Sequence, residues 1–307
     1  MSTAAPAPEP VDGGGNPLCV LSVHAHPDDE ASKGSATMAR YAAEGVRSVL
    51  VCCTGGEAGE ILNPAVDTPE VRANLGTIRE EELRESVRII GYSSVDLLGY
   101  HDSGMPGTAD NARPDNFANA PLDEAIERLV GVIRSERPQV VIGYGDDRPW
   151  YPHPDHIRVY EITAPAFAAA GDPEMYPDAG VPWAPSKHYE TGWTRRRIEA
   201  MNAACVARGI ESPFADWFKD GGGRALPPHD DRFTTLIDVG DFLDVRRRAL
   251  LAHRTQVDPE GFWMQIPDDL VREVYPWEEY ALVASTVPGA AIPPVSESDL
   301  FEGVRRL

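Results

Sequence analysis

The chain has 307 residues, of which 42% are hydrophobic, so it can bury a substantial core without disulfides or a structural metal. Its formal net charge of −21 argues against nucleic acid or an anionic membrane surface as a partner, because such a protein surface repels phosphate groups. The four cysteines form no C-x-x-C pair, so we expect neither a disulfide framework nor a thiolate zinc site.

The N-terminal segment, residues 1–17, is rich in alanine, proline and glycine and lacks the charged and apolar parts of a secretion signal. We predict that it is a disordered tail. No apolar run in the chain reaches the length of a membrane span. We therefore expect a cytoplasmic protein with no membrane partner.

Strands and helices are predicted to alternate over about residues 18–170. Short apolar runs indicate buried strands, and segments with helical periodicity follow them. In chain order these are strand 18–24, helix 31–44, strand 47–53, helix 77–90, strand 95–98, helix 122–136, strand 140–144 and helix 154–170. The alternation is typical of an α/β protein with a mostly parallel sheet and helices on both faces.

The pattern weakens after residue 170. Fainter signals indicate strands 187–192 and 234–239 and helices 194–208 and 241–253. We predict that residues 171–307 form an α/β extension packed on the core. Residues 18–307 would then make a single domain.

Two clusters of polar residues follow predicted strands. The segment 24–30, His-Ala-His-Pro-Asp-Asp-Glu, comes directly after the first strand, and the segment 151–156, Tyr-Pro-His-Pro-Asp-His, comes a few residues after strand 140–144. One such cluster is usually a turn or a helix cap. Because ligands of open parallel α/β folds bind beyond the carboxyl ends of the strands, we expect both clusters at one edge of the sheet.

The types of residue in the two clusters predict a metal site. His26, Asp29 and His156 would supply three ligands and leave a coordination position open, which is the arrangement of catalytic divalent ions. Ligands of this kind accept zinc and also iron, cobalt or manganese.

Neighbouring side chains predict acid–base roles. Asp28 is the first candidate for the general base that takes a proton from water, and Glu30 is an alternative that could instead complement a helix N-terminus. His153 could protonate a leaving amine or stabilise developing negative charge, and Tyr151 could donate to an oxyanion. Asp155 lies between two histidines and is expected to orient one of them.

The other histidines carry less weight. His229-Asp230-Asp231 lies in a loop rich in glycine and proline, and His188 is expected to be a packed or edge residue of a strand. Three histidines remain ambiguous: His24, His101 and His253.

Two other classes of protein are alternatives to a metal-dependent enzyme. A dinucleotide-binding protein would need a glycine-rich loop after the first strand, where this chain has carboxylates instead. A binding module without catalysis would need neither Asp28 nor Tyr151.

The segments 25–30 and 153–156 together resemble the PIG-L/LmbE-like family of zinc N-deacetylases and amidases. The resemblance extends from about residue 18 to just beyond 253–256. It implies a Rossmann-like catalytic domain of the LmbE type and one Zn²⁺ per chain. The implied zinc ligands are His26, Asp29 and His156, and the implied catalytic residues are Asp28, Tyr151 and His153.

Within the family, three segments resemble amidases that cleave mycothiol S-conjugates: 32–34, 54–64 and 151–158. Such an enzyme releases a mercapturic acid and glucosaminyl-inositol, a detoxification reaction. The alternatives are the deacetylase that acts on N-acetylglucosaminyl-inositol and a sugar amidase of a secondary-metabolite pathway. In each case the partner is a small-molecule thiol conjugate or amino-sugar amide.

The resemblance also implies substrate contacts. Lys33 would contact the cysteinyl part of a conjugate, Arg79 and Asp102 would bind the inositol sugar, and Glu57 would line the site. The loops at 105–119 and 219–231 depart from the family pattern.

Overall fold

The computed structural model describes residues 10–146, 148–149, 151–219, 226–227 and 230–306, and within these ranges seven strands form one mixed sheet. The strands are β1 Cys19–His24, β2 Arg47–Thr54, β3 Ser94–Tyr100, β4 Val140–Tyr144, β5 Lys187–Thr191, β6 Thr235–Asp238 and β7 Trp277–Ser285. Their order is β3-β2-β1-β4-β5-β7-β6. The five strands from β3 to β5 are parallel, and β7 runs antiparallel to both of its neighbours.

Helices cover both faces of the sheet. They are α1 Asp29–Ser32, α2 Ser35–Ala43, α3 Pro69–Ala73, α4 Leu75–Ile90, α5 Leu122–Glu136, α6 Pro154–Ala170, α7 Arg195–Arg208, α8 Leu243–Ala252 and α9 Asp268–Val274. Successive residues of a strand point to opposite faces. Val20 of β1 accordingly packs in the apolar cluster that includes α2, α4 and α8, and Leu21 packs in the cluster that includes α5 and α6. The predicted Rossmann-like α/β fold is confirmed.

None of the helices that the structure describes combines the length and the apolar character needed to cross a membrane.

Two differences from the predicted elements bear on the site. The predicted helix 31–44 is interrupted, because Gly34 adopts a left-handed backbone with φ of 94° between α1 and α2. Strand β7 was not predicted, since Glu278 and Glu279 break its apolar pattern. Both glutamates are buried and accept hydrogen bonds from distant residues, among them Thr37 and Thr194.

Part of the predicted disordered tail is folded. Val11 forms a β-bridge with Pro17, and Asp12 forms one with Arg305 near the C-terminus. The side-chain amide of Gln139 donates to Asp12 over 3.0 Å. The prediction is therefore wrong for residues 10–17, because these contacts with distant residues hold the segment, and residues 1–9 lie outside the described ranges.

His188 of β5 is a packed histidine, as expected. It is 2% exposed, and its ring lies 5.6 Å from that of Phe167. Among the described residues neither ring nitrogen has a hydrogen-bond partner. Burial lowers the pKa of His188 to about 4.

We expect the variant His188→Leu to flatten the dependence of stability on pH. The folded protein keeps this imidazole neutral down to about pH 4, whereas the unfolded chain protonates it near pH 6.5. The wild type therefore loses free energy of unfolding as the pH falls from 6.5 towards 4, by about 2 kcal/mol at pH 5 from this group. Urea unfolding of both proteins at pH 7, 6 and 5 measures the difference. Parallel curves would contradict the assignment.

Candidate active site

The two polar clusters meet at the carboxyl edge of the sheet. β1 ends at His24, and the adjacent parallel strand β4 ends at Tyr144. The loop after β1 leads into α1, and α6 begins at Pro154. Neighbouring parallel strands therefore bring together residues that lie far apart in the chain.

Three buried side chains form a group that could hold a metal ion, namely His26, Asp29 and His156. One ligand atom of each lies within 4.8 Å of the others. Oδ2 of Asp29 is 3.4 Å from Nε2 of His156 and 3.5 Å from Nδ1 of His26, while Oδ1 pairs with the ammonium of Lys33. Burial lowers the pKa of His156 to about 4, so its imidazole is neutral at pH 7, the form that binds metals.

A second group with the same spacing consists of His26, Asp102 and His153. The two groups share His26, whose Nε2 is 3.1 Å from Asp155 and 3.5 Å from Asp102. Together with Asp29, three buried carboxylates thus surround one imidazole. Buried carboxylates need a compensating cation, and zinc and related ions accept imidazole and carboxylate donors. The residues present therefore fit a divalent metal ion.

The carboxylate of Asp155 contacts His26. Its Oδ2 also accepts a hydrogen bond of 2.9 Å from the backbone of Ser103, whose hydroxyl donates to Oδ1. The prediction that it orients a histidine beside it in the sequence is wrong. Consecutive helical residues point about 100° apart, so the start of α6 directs Asp155 towards the loop after β1.

Asp28 has a strained backbone. Its φ is 116°, a conformation that a non-glycine residue keeps only where its surroundings hold it. Its backbone N–H donates to Oε2 of Glu30 over 2.9 Å, and its Oδ2 accepts from Nη2 of Arg79 over 3.0 Å. Partial burial raises the pKa of the Asp28 carboxyl, against the opposing charge of Arg79. The side chain is still 29% exposed, and it lines a cavity that opens over His26, Asp29 and His156, which we call the metal group. Water can therefore reach it.

Glu30 is fully buried beneath this loop. Its Oε1 pairs with Nε2 of His253 over 2.6 Å and accepts from the hydroxyl of Ser86. Glu30 is not one of the described residues that line the cavity. These contacts make Glu30 a support for the backbone of Asp28, and they weigh against the alternative that it is the base.

A cavity of about 590 Å³ opens over the metal group. Lys33, Arg79 and Asp102, the substrate contacts expected from the sequence, all line it. Arg79 is only 3% exposed, and its guanidinium donates to the carbonyl oxygens of Gly56 and Pro27 over 2.7 and 2.5 Å. It therefore also joins the loops that follow β1 and β2.

Glu57 lies in the wall of a neighbouring cavity of about 990 Å³. Its carboxylate turns towards the loop after β3 and accepts from the backbone N–H of Asp102 over 3.1 Å. Within the described part of the chain it does not line the cavity over the metal group, whereas residues 58–60 do. The expectation that Glu57 lines that cavity is wrong.

Tyr151 and His153 line the cavity beside the metal group. The ring of Tyr151 lies 4.9 Å from that of His156 and is stacked 6.3 Å from that of His153. Nδ1 of His153 accepts from the backbone N–H of Asp155 over 3.3 Å and caps α6. Burial lowers the pKa of His153.

The remaining histidines lie outside the lining of the cavity, as far as the structure describes it. His24 is buried against the hydroxyl of Tyr144, and His101 pairs with Asp110 over 3.1 Å. His229 lies outside the described residues, and the adjacent Asp230 pairs with Arg232.

Sequence reasoning missed four aromatic residues that line the cavity, which are Trp193, Trp217, Phe262 and Trp263. A signal was available for Trp193, because it follows the predicted strand 187–192 just as the histidine clusters follow theirs.

Comparisons with known proteins point to one family. Residues 21–167 match the family model PIG-L, described as GlcNAc-PI de-N-acetylase. The chain is 43% identical to the mycothiol S-conjugate amidase of Streptomyces coelicolor, over 94% of this chain and 98% of that protein. It is 38% identical to the 1D-myo-inositol 2-acetamido-2-deoxy-alpha-D-glucopyranoside deacetylase of Streptomyces avermitilis, over 93% and 97%.

The fold is also similar to that of N,N'-diacetylchitobiose deacetylase from Pyrococcus horikoshii. The TM-score is 0.57 at 20% identity, over 86% of this chain and 83% of that one.

The fold, the buried group of residues that could hold a metal ion and these relatives define an enzyme that hydrolyses amides. The chain belongs to the PIG-L family of de-N-acetylases.

Proposed function

We propose that this protein hydrolyses the amide of mycothiol S-conjugates, with one Zn²⁺ per chain held by His26, Asp29 and His156. The products would be a mercapturic acid and glucosaminyl-inositol. The observation that carries the proposal is the buried His/Asp/His group with a further carboxylate beside it, in a chain 43% identical to a mycothiol S-conjugate amidase.

When bound, zinc supplies a Lewis acid that polarises the amide carbonyl and lowers the pKa of water. Asp28 lines the cavity next to the proposed ligands, and its carboxylate pairs with Arg79 and is not one of them. It is therefore placed to take the proton of the attacking water. Arg79 and Glu30 hold Asp28 in its strained backbone conformation. The position of the base is therefore fixed before substrate arrives.

His153 and Tyr151 act on the other atoms of the amide. His153, whose Nδ1 accepts a hydrogen bond from the start of α6, carries its proton on Nε2 and donates from there to the negative charge that develops on the amide. The proton that Asp28 takes from the water passes to the leaving amine of the sugar. Tyr151 donates from its hydroxyl to the oxygen that becomes negative as water adds to the carbonyl. The carboxylate of Asp155 contacts Nε2 of His26 and so positions this proposed metal ligand.

A second candidate function is deacetylation of N-acetylglucosaminyl-inositol. The 38% identity to a deacetylase with a 2-acetamido sugar substrate favours it. Both reactions need the same metal chemistry and differ only in the acyl group. The same holds for a sugar amidase of a secondary-metabolite pathway.

The experiment that separates these functions measures release of primary amine by the zinc-loaded protein. One substrate is a mycothiol S-conjugate, and the other is N-acetylglucosaminyl-inositol. We expect kcat/KM to be higher for the conjugate. Preference for the acetylated sugar would assign the biosynthetic deacetylation instead.

Lys33 is proposed to contact the cysteinyl part of the conjugate. We expect Lys33→Ala to lower kcat/KM about tenfold for the conjugate, equivalent to about 1.4 kcal/mol of binding, while the acetylated sugar is cleaved at nearly the wild-type rate. Because Lys33 also pairs with Asp29, zinc content must be measured in the same samples. An equal loss on both substrates would show that Lys33 acts through Asp29 and has no part in specificity.

A further inference from the structure

Aromatic side chains gather at one end of the cavity over the metal group. Trp193 follows the carboxyl end of β5, the strand next to β4. Trp217 comes from the loop after α7, and Phe262 and Trp263 come from the 3-10 turn Phe262–Met264. We call these four residues the aromatic wall. Each of them is half-buried and lines the cavity.

The order of the strands gives the cavity two different ends. Along the carboxyl edge, Asp102 follows β3, the ligands follow β1 and β4, and Trp193 follows β5. Adjacent strands lie about 4.8 Å apart, so β3 and β5 are separated by roughly 19 Å with the metal group between them. A substrate whose amide lies at the metal can therefore reach Arg79 and Asp102 with one side and the aromatic wall with the other.

The rings of the wall hold one another in place. The centroids of Trp193 and Trp263 are 5.7 Å apart at 75°, and those of Phe262 and Trp263 are 5.2 Å apart at 85°. The guanidinium of Arg197 stacks 4.7 Å from the ring of Trp193, and that of Arg246 lies 5.6 Å from the ring of Trp263. These contacts fix ring positions before a ligand binds, which lowers the entropic cost of binding.

Other apolar side chains also occur in the described lining of the cavity. Leu62 and Met105 are 57% and 48% exposed and stay largely in water, whereas Leu250 and Val257 are 1% and 2% exposed and offer little surface to a ligand. The aromatic wall is therefore the part of the cavity best suited to an apolar group.

We infer that the aromatic wall binds the substituent on the sulfur of the conjugate, and that it selects apolar, preferably aromatic, substituents. The inference rests on the proposed function. The amine side of the scissile amide is a polyhydroxylated sugar, which needs hydrogen-bonding groups such as Arg79 and Asp102. The acyl side carries the sulfur substituent, which gains free energy by leaving water for a surface of stacked rings.

The test compares three substrates: the S-benzyl and S-methyl conjugates of mycothiol and N-acetylglucosaminyl-inositol. We expect the wild type to cleave the S-benzyl conjugate with a kcat/KM at least about tenfold above that of the S-methyl conjugate, because a phenyl ring buries more apolar area. Trp193→Leu should remove most of this preference, mainly through KM, and leave cleavage of the acetylated sugar within about twofold. N-acetyl-S-benzylcysteine should inhibit the wild type more strongly than the variant.

Trp183→Leu is the matched control. Trp183 is also a half-buried tryptophan stacked on a guanidinium, that of Arg137 at 4.5 Å, but it is not among the described residues that line the cavity. It should retain the wild-type preference. Phe262→Leu provides a second variant of the wall should Trp193→Leu fail to fold, and it should also lose the preference.

The outcomes separate the inference from the proposed function. If the wild type cleaves conjugates but does not distinguish benzyl from methyl, or if the wall variants lose activity equally on all three substrates, the inference is wrong and the amidase function stands. If the wild type cleaves the acetylated sugar and neither conjugate, the proposed function is wrong and the inference fails with it.

Discussion

Replacing Asp28 by asparagine should leave the metal content of the protein unchanged and lower kcat by about 10²- to 10⁴-fold, the usual contribution of a general base. The asparagine side chain has no charge with which to take a proton from water. It can still accept a hydrogen bond from Arg79, and asparagine tolerates the left-handed backbone that Asp28 adopts. The substitution therefore removes the chemistry and keeps the local structure. Metal analysis and steady-state kinetics on the same preparation measure both effects.

The matched control for this variant is Asp110→Asn. Asp110 likewise has a paired carboxylate, whose partner is Nε2 of His101 at 3.1 Å, but it lies away from the described lining of the cavity. Its kcat should equal that of the wild type. Loss of zinc from Asp28→Asn would move Asp28 into the set of ligands, and a kcat within about twofold of the wild type would exclude it as the base.

The second large effect concerns the metal. His156→Ala should weaken zinc binding by more than about 100-fold, since it removes a direct ligand and even the loss of an outer partner costs about 10- to 100-fold. Activity should fall to near background and recover only partly when zinc is added in excess. Zinc titration with a competing chelator gives the affinity, and the amine-release assay gives the activity.

His153→Ala decides between the two groups that could hold the ion. If His26, Asp29 and His156 are the ligands, His153→Ala should bind zinc normally and fail in turnover. If His26, Asp102 and His153 hold the metal instead, His153→Ala should lose zinc and His156→Ala should keep it. His101→Ala, outside both groups, should behave as the wild type.

The sequence predicts the first half of the fold well, because each element there has a strong local signal. The bounds of α5, β4 and α6 agree with those predicted. In the second half, β7 escapes prediction because its two buried glutamates are satisfied by partners that the strand itself does not contain. The local sequence pattern holds no information about such partners. It therefore predicts that these two buried glutamates are exposed to solvent.

The same limit applies to the site. The ligand candidates could be found because each follows a strand, and the sheet brings strand ends together. The contact of Asp155 with His26 and that of Glu30 with His253 depend on how separate elements pack, which spacing along the chain does not encode. The position of Glu57 depends likewise on the path of one loop.

The contact between Glu30 and His253 joins the loop of Asp28 to a residue that is translated late. The ribosome has made all three proposed ligands by residue 156, but it reaches His253 only after most of the chain has emerged. Until then Glu30, which accepts a hydrogen bond from the backbone of Asp28, lacks its own partner His253. A nascent or truncated chain can thus carry the metal donors without a positioned base.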